Sequence, residues 1–243
     1  MAKHAGTKKN RKTTSDKFNS DWNLDWFEPT VKQQEALDKF DNSVFNILDC
    51  SSGTGKTTLA LWYAFSKYRT GDFEKIIFMK TPAESGSDEL GLLSGDAENK
   101  LVAHMQITRM IMWDFISKNK LECDERNGNI RITIPNYELG ATYDNSIVLM
   151  DESQLYKPST MKFITERCGV NSKYIIMGDS KQRYAVKDRQ DGLSDFIVRM
   201  TEAIPDSRER TPKRKDMCSY TKLTYLDNMR SEGSAYITEV YDD

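Results

Sequence analysis

Short apolar runs alternate with helical patterns along most of this chain. The runs are typical of buried strands, and the segments between them repeat apolar residues at the spacing of a helix face. This alternation predicts an α/β fold with a mostly parallel sheet covered by helices on both faces. The predicted strands span residues 44–49, 75–80, 147–151, 173–177 and 218–225. The predicted helices span 56–69, 97–118, 158–168 and 191–202, with a first helix beginning at Pro29 and a last one at Asp227.

Two stretches interrupt the alternation. A long loop is predicted over residues 82–95. A hairpin is predicted over 121–134, where Asn127-Gly128 has the residue types of a tight β-turn. A chain of 243 residues can bury one α/β core of this kind, so a single core domain is expected.

A glycine-rich loop lies between the first predicted strand and the helix after it. Residues 50–57 read Cys-Ser-Ser-Gly-Thr-Gly-Lys-Thr. Gly53 and Gly55 let the backbone curl so that successive N–H groups face phosphate oxygens, and the helix N-terminus adds its partial positive charge. Cys50 stands where the usual motif has its first glycine, but a strand end needs no positive φ. The segment is therefore interpreted as a phosphate-binding loop (P-loop).

The P-loop supplies most of the predicted nucleotide ligands. Lys56 is expected on the β- and γ-phosphates of ATP, where it is also assigned a catalytic role. The Thr57 hydroxyl is expected on Mg²⁺. The predicted nucleotide-binding residues of the loop are Ser52, Gly53, Thr54, Gly55, Lys56, Thr57 and Thr58.

A pair of carboxylates follows the predicted strand 147–151. Asp151 and Glu152 emerge where a buried strand reaches the carboxyl edge of a parallel sheet. There the first carboxylate can hold Mg²⁺ through water, and the second can accept a proton from an attacking water. Asp151 is therefore the predicted metal residue and Glu152 the predicted catalytic base.

A third motif ends the predicted strand 173–177. The chain continues there as Gly178-Asp179-Ser180-Lys181-Gln182. This pattern resembles the γ-phosphate-sensing motif of superfamily 1 helicases. Asp179 is then expected at the nucleotide, and Gln182 is expected to report hydrolysis.

These motifs, together with the stretches between them, resemble one family, the PhoH-like ATPases. The resemblance covers roughly residues 30–240. It implies a RecA-like ATPase core that binds ATP and Mg²⁺, is often assembled as a hexameric ring and is connected with RNA. The matching segments beyond the P-loop are Pro82-Ala83, Leu90 to Asp96, Asp151 to Gln154, Arg167 to Lys173, Gly178-Asp179 and Asp191 to Leu193.

The chain departs from the family pattern at two places where the family has arginine, Thr81 and residues 137–142. Arginine stabilises the charge that develops on a transferring phosphoryl group, and it can come from a neighbouring subunit. Arg230 matches a family arginine near the C-terminus and is the first choice as a γ-phosphate sensor; a plain surface arginine is the alternative. The other candidates are Arg167, Arg183 and Arg189.

Two glutamines precede the P-loop, on the first predicted helix. Gln33 and Gln34 lie about where helicases carry a glutamine that reads adenine. A glutamine amide can accept from N6–H and donate to N7. Gln34 is favoured because of its spacing from the proline that starts the helix, with an exposed helix surface as the alternative for both.

The charges of the chain are unevenly placed. The net charge of −2 argues against a wholly basic nucleic-acid-binding protein. Yet residues 1–20 form a basic polar arm before the ATPase domain, 21–243, and residues 208–215 form a second basic cluster. Both are candidate contacts to single-stranded RNA or DNA, and a solvated polar surface is the alternative for each.

The four cysteines are widely separated and include no C-x-x-C pair. A zinc site is therefore not expected. No apolar run approaches the ~18 residues of a membrane span, so we expect a cytoplasmic protein without a membrane partner.

Three functions fit the motifs. The first is an ATPase coupled to single-stranded nucleic acid, RNA above all, and working as a ring, with helicase activity left open. The second is a P-loop nucleoside kinase of the thymidine-kinase type, which the scattered cysteines and the Gly178-to-Gln182 motif oppose. The third is a nucleotide-binding assembly factor without motor activity.

Overall fold

The computed structural model describes residues 21–81, 105–138, 140, 142–182, 191–201 and 217–242. The strands are β1 (Phe45–Cys50), β2 (Lys75–Lys80), β3 (Ile130–Thr133), β4 (Ser146–Asp151), β5 (Lys173–Gly178) and β6 (Cys218–Leu223). The helices are α1 (Val31–Asn42), α2 (Lys56–Thr70), α3 (Lys118–Arg126), α4 (Pro158–Thr165), α5 (Gly192–Thr201) and α6 (Glu232–Asp242). Residues 105–112 are also helical.

The described strands form one six-stranded sheet in the order β3-β2-β4-β5-β1-β6. Each neighbouring pair is parallel. The strand that leads into the P-loop, β1, is separated from the strand that ends in the acidic pair, β4, by β5 alone. The predicted α/β class with a RecA-like parallel sheet is confirmed.

Successive strand residues enter two different cores. On one face, Leu48 and Leu149 pack under α1, α2 and the segment before α1. On the other face, Ile47 and Val148 pack under α4 and α5. Because both faces are covered, the strands read as nearly continuous apolar runs, and this is why the sequence identifies them so clearly.

Capping and a buried lysine fix the two ends of α1. The Thr30 side chain accepts from Gln33 N, and the Gln33 side chain accepts from Thr30 N, so the helix begins at Val31 rather than at the predicted Pro29. At the other end Lys173 Nζ donates to the carbonyls of Phe40 and Ser43. Burial lowers the pKa of Lys173 to about 8. The ammonium thus ties the C-terminal end of α1 to the start of β5.

The predicted hairpin over 121–134 is wrong. This stretch contains the end of α3 and the strand β3, which pairs with β2 in parallel. Asn127 is the C-cap of α3, and Gly128 follows it with φ of +75°. An Asn-Gly pair suits a helix C-terminus as well as a hairpin turn, because both can need a left-handed residue.

The single helix predicted over 97–118 is also wrong at its C-terminal end. Helical structure ends at residue 112, and the Ser117 side chain caps α3 instead. The N-terminal segment causes the break, because Asn23 N donates to Phe115 O (2.8 Å) and Ser117 N donates to Asp21 O (2.8 Å). These bonds take backbone groups that a continuous helix would use.

The last predicted helix begins later than expected. A 3₁₀ turn, Tyr225–Asp227, comes first, and α6 begins at Glu232. The predicted basic arm (1–20), the long loop (82–95) and the cluster 208–215 lie outside the described residues. Across the described part of the chain, no helix is both long and apolar enough to cross a bilayer.

Candidate functional site

The P-loop curls at the carboxyl end of β1. Gly53 and Gly55 have φ values of +79° and +76°, a region that only glycine adopts readily. Gly55 is the N-cap of α2, and Lys56 is the first residue of that helix. Cys50 is the last residue of β1, and burial raises the pKa of its thiol to about 12. Its position in the strand explains why glycine is not needed there.

The outer side of the P-loop is bonded to other parts of the chain. The carbonyls of Ser52, Gly53 and Thr54 accept hydrogen bonds from α1 and from the segment after β6. In a trans peptide unit the N–H points opposite to the carbonyl, and no cis peptide is found among the described residues. The amides that follow these carbonyls therefore point away from the contacts, which suits an anion inside the loop.

The two carboxylates at the end of β4 have different surroundings. Asp151 is 1% exposed, and its Oδ1 accepts from Glu152 N (3.1 Å). Its Oδ2 lies 3.1 Å from Lys80 Nζ, at the end of β2. The angles at this pair do not suit a hydrogen bond, but the Lys80 ammonium is the partner of Oδ2, so Asp151 is held in a buried ion pair. Sequence reasoning missed Lys80, although it ends the strand before Thr81.

Glu152 is held in a left-handed conformation, with φ of +52° and ψ of +43°. For a residue other than glycine this costs about 1–3 kcal/mol and persists only where the surroundings enforce it. Here Gln154 Nε2 donates to Glu152 Oε2 (2.8 Å), which leaves the other carboxylate oxygen available. The strain and the fixed carboxylate fit a side chain that is oriented for chemistry.

Gln154 joins the acidic loop to the loop after β5. Its Oε1 accepts from Asp179 N (3.2 Å), and Asp179 O accepts from Gln182 N (3.1 Å). A Cβ at Gly178 would lie 2.4 Å from Gln154 Oε1, so this contact requires glycine. The structure thus connects the predicted residues Glu152, Asp179 and Gln182 through an amide that sequence reasoning had placed in a motif without assigning it a role.

The residues present fit a Mg²⁺ ion that is bound together with nucleotide phosphates. Thr57 lies in the first turn of α2, and Asp151 lies two strands away at the same sheet edge. Mg²⁺ usually takes one or two protein oxygens and completes its shell with phosphates and water. Oδ2 of Asp151 would offer such an oxygen if Lys80 Nζ, now 3.1 Å away, gave up its pairing with it. Among the described residues no group of three or more His, Cys, Asp or Glu side chains could hold a metal by itself.

The structure corrects the choice between the two glutamines. Gln34 is exposed and donates to Asp38 Oδ1 (2.9 Å), on the side of α1 away from the P-loop. Gln33 is 1% exposed and donates to Thr54 O (3.1 Å). Gln34 therefore does not reach the loop, and Gln33 contacts it. Because both ends of the Gln33 amide are bonded within the protein, Gln33 supports the loop rather than reading a base.

The candidate arginines are scattered. Arg230 follows directly on residues that contact the P-loop, and its side chain is exposed. Arg167 packs over the Phe163 ring (4.5 Å) in the turn before β5, at the amino end of the sheet, so it cannot serve the site in its own subunit. Arg183 and Arg189 lie outside the described residues.

Asp49 is a buried site residue that sequence reasoning missed. It is 4% exposed and accepts from Ser180 N, Ser180 Oγ and Tyr220 OH, each at 2.9 Å. Lys222 Nζ lies 3.7 Å away. Burial raises the pKa of Tyr220. Asp49 thus joins β1 to the loop after β5 and to β6, beside a cavity of about 120 Å³. The sequence signal that could have identified Asp49 is a charged residue inside an otherwise apolar strand.

A larger groove of about 640 Å³ lies beside the edge strand β3, away from the predicted site residues. Its charges are paired. Arg109 binds Glu125 (2.8 Å) and Arg131 binds Glu138 (3.2 Å). The groove contains no residue of the three motifs, so it is not assigned to the candidate site.

Comparison with known proteins identifies the family of this chain. The family model described as PhoH-like protein matches residues 28–242. The PhoH-like protein of Bacillus subtilis is 32% identical over 215 residues, which are 88% of this chain and 63% of that protein. The PhoH-like protein of Synechocystis is 30% identical over 164 residues, 68% of this chain and 50% of that protein. Protein PhoH of Escherichia coli K12 is 27% identical over 153 residues, 62% of this chain and 43% of that protein.

This chain thus spans between 43% and 63% of the length of these relatives. Among solved structures, the helicase domain of Pyrococcus furiosus Hef aligns with a TM-score of 0.48 and 9% identity, covering 84% of this chain and 40% of that one. That likeness is distant, and the fold assignment rests on the strand order. The matched residues, 28–242, include every described strand and helix. The chain belongs to the PhoH-like protein family, and its fold is that of a P-loop NTPase.

Proposed function

We propose that this protein binds ATP with Mg²⁺ and hydrolyses it, and that hydrolysis is coupled to single-stranded nucleic acid, RNA above all. One observation carries the proposal. At the carboxyl edge of the sheet, Gln154 hydrogen-bonds both the strained Glu152 and the backbone of Asp179. The acidic loop is therefore tied to the sensor loop, which lies between it and the P-loop.

The predicted residues at the carboxyl edge of the sheet take separate roles in this reaction. Lys56 and the loop amides bind the β- and γ-phosphates, and Thr57 and Asp151 hold Mg²⁺. A Mg²⁺ ion held by these residues would neutralise charge on the phosphate oxygens. Gln154 fixes one oxygen of Glu152, and the other oxygen accepts the proton of the attacking water. Asp179 and Gln182, linked to Gln154, respond when the γ-phosphate leaves.

A ring of subunits, most simply a hexamer in the cytoplasm, completes the site. One RecA-like core supplies half of an ATP site between subunits, and Thr81 replaces an arginine that the family has at this edge. Arg230, exposed beside the P-loop, is the described arginine that we assign to the γ-phosphate. The basic segments 1–20 and 208–215 supply contacts to the nucleic-acid backbone.

A nucleotide-binding assembly factor is the second candidate. The Lys80–Asp151 ion pair (3.1 Å) favours it, because it occupies the carboxylate that should hold Mg²⁺. Phosphate release with and without homopolymer RNA or DNA separates the candidates. Stimulation by a homopolymer supports the first, and ATP binding without turnover supports the second. Turnover that depends on thymidine would instead indicate a nucleoside kinase.

Replacing Lys56 by alanine should abolish ATP binding, because the mutation removes the cation expected at the β- and γ-phosphates. Thermal unfolding with ATP and Mg²⁺ measures this. A ligand at 100 times its Kd should add about 2.7 kcal/mol to the stability of the wild type and nothing to that of the variant. Lys162→Ala, at an exposed position on α4, is the matched control. An unchanged stabilisation in Lys56→Ala contradicts the assignment.

Glu152→Gln should retain ATP binding and lower turnover about 100-fold or more, since an amide cannot accept the proton. The substituted amide oxygen can still accept from Gln154, so the loop should keep its shape. Phosphate release and nucleotide titration measure the two effects, with the exposed Glu166→Gln as control. Hydrolysis at the native rate would show that Glu152 is not the base.

Assembly should be visible in solution. With a non-hydrolysable ATP analogue, mass measurement should show a closed oligomer, most simply a hexamer, because a single core leaves the ATP site half built. Arg230→Ala should keep this mass and lose turnover. A strict monomer that hydrolyses ATP at the full rate would refute the ring.

Binding to single strands should weaken steeply with salt if the basic segments contact phosphates. The slope of log affinity against log salt should be about −0.7 per phosphate neutralised. Deleting residues 1–20 should flatten the slope and leave ATP affinity unchanged. If the slope is unchanged, or if no strand binds at low salt, the segments do not contact nucleic acid.

A further inference from the structure

Three consecutive carbonyls of the P-loop accept hydrogen bonds from outside the loop. One donor lies on α1, and the other two lie on the segment between β6 and α6, residues 224–230, which we call the C-terminal latch. The bonds join Gln33 Nε2 to Thr54 O (3.1 Å), Met229 N to Gly53 O (2.9 Å) and Asn228 Nδ2 to Ser52 O (3.0 Å).

The Asn228 amide is fixed on both sides. Its Nδ2 also donates to Ser234 Oγ (3.1 Å) in α6, and its Oδ1 accepts from Arg230 N (2.9 Å). A Cβ on Gly53 would lie 2.4 Å from Asn228 Nδ2. Gly53 is therefore needed both for its positive φ and for the close approach of the latch.

The latch is itself tied to the body of the domain. Asp227 accepts from Thr224 N (2.9 Å) within the latch and pairs with Lys32 on α1 (2.9 Å). Just before the latch, Leu223 O accepts from Ser51 N (3.0 Å) at the start of the P-loop. Asn228 is thus presented to the loop from a braced segment rather than from a loose tail.

We propose that Asn228 is a positioning residue that preforms the P-loop for phosphate by bonding its outer carbonyl. The proposal rests on the nucleotide-binding function proposed above and adds to it a role for Asn228, which belongs to none of the three motifs. A loop with two glycines has many conformations, and ordering it costs free energy at the moment of binding. Holding the carbonyl of Ser52 outward sets the next amide inward before nucleotide arrives, which raises affinity.

The test uses two variants of Asn228 in the full chain. Asn228→Ala removes the bond to Ser52 O, together with those to Ser234 Oγ and Arg230 N, without adding charge. Asn228→Asp keeps the shape and the acceptor for Arg230 N but places a carboxylate oxygen against Ser52 O. Titration with a fluorescent ATP analogue should show affinity about fivefold lower for alanine and about tenfold or more lower for aspartate, the size expected when one ordinary hydrogen bond is lost or opposed.

Asn42→Asp is the matched control. Asn42 Nδ2 donates to Asp38 O (2.7 Å) at the far end of α1, so the variant loses the same kind of bond away from the P-loop. Its ATP affinity should equal that of the wild type. For Asn228→Asp, which keeps the acceptor for Arg230 N, the KM for ATP should rise by the same factor as Kd while kcat stays within about twofold, because saturating nucleotide restores the loop. If Asn228 had only a structural role, the variants would lower the stability of the protein, and KM would not rise separately from kcat.

The outcomes distinguish this inference from the function it rests on. If the wild type binds no ATP, the proposed function fails. Suppose instead that the wild type binds ATP, Lys56→Ala does not, and Asn228→Ala binds like the wild type. The proposed function then stands, and the positioning role of Asn228 is wrong. Should Asn228→Asp fail to fold, Asn228→Ala alone decides the question.

Discussion

Parallel pairing of β1, β5 and β4 is the constraint on which the site depends. Parallel strands end at the same edge of a sheet, so the loop that follows each one emerges beside the loops of its neighbours. Because β5 lies between β1 and β4, its loop is placed between the P-loop and the acidic pair. Residues far apart in sequence, Lys56, Asp151 and Asp179, are brought to one edge by backbone hydrogen bonding before any side chain contributes.

Polar side chains then join these loops into one unit. Gln154 connects Glu152 to the Asp179 backbone, and Asp49 connects β1 to Ser180. Polar groups buried at the end of a sheet must find partners, and here each finds one on a neighbouring loop. The left-handed Glu152 shows that the arrangement is enforced, since an isolated turn would relax it. A displacement of one loop therefore changes the hydrogen bonds that hold the other loops.

The sequence predicts features that are encoded locally. Strands buried on both faces and a glycine loop before a helix each leave a contiguous signal, and five predicted strands and the P-loop lie where expected. Prediction from sequence fails where contacts between distant segments determine the local structure. The pair Asn127-Gly128 suits a hairpin or a helix end, and only pairing of β3 with β2 selects the second. The choice of Gln34 over Gln33 depended on which side of α1 meets the P-loop, and the packing of Ala36, Leu37 and Phe40 in the core turns Gln33 toward it.

Residues of the family motifs and residues of the site overlap only in part. Asp191 and Gly192 match the family pattern, yet Asp191 accepts from Ser194 at the start of α5, and Gly192 N donates to Tyr156 O (2.7 Å). They dock a helix. Asn228, which the motifs do not include, contacts the P-loop directly. A motif marks positions where few residue types work, and helix docking restricts them as strongly as chemistry does. The outer carbonyls of a phosphate loop can instead accept from many kinds of donor, provided that a fixed segment holds the donor in place. A motif comparison therefore does not identify the supporting residue, and the hydrogen bonds of the structure do.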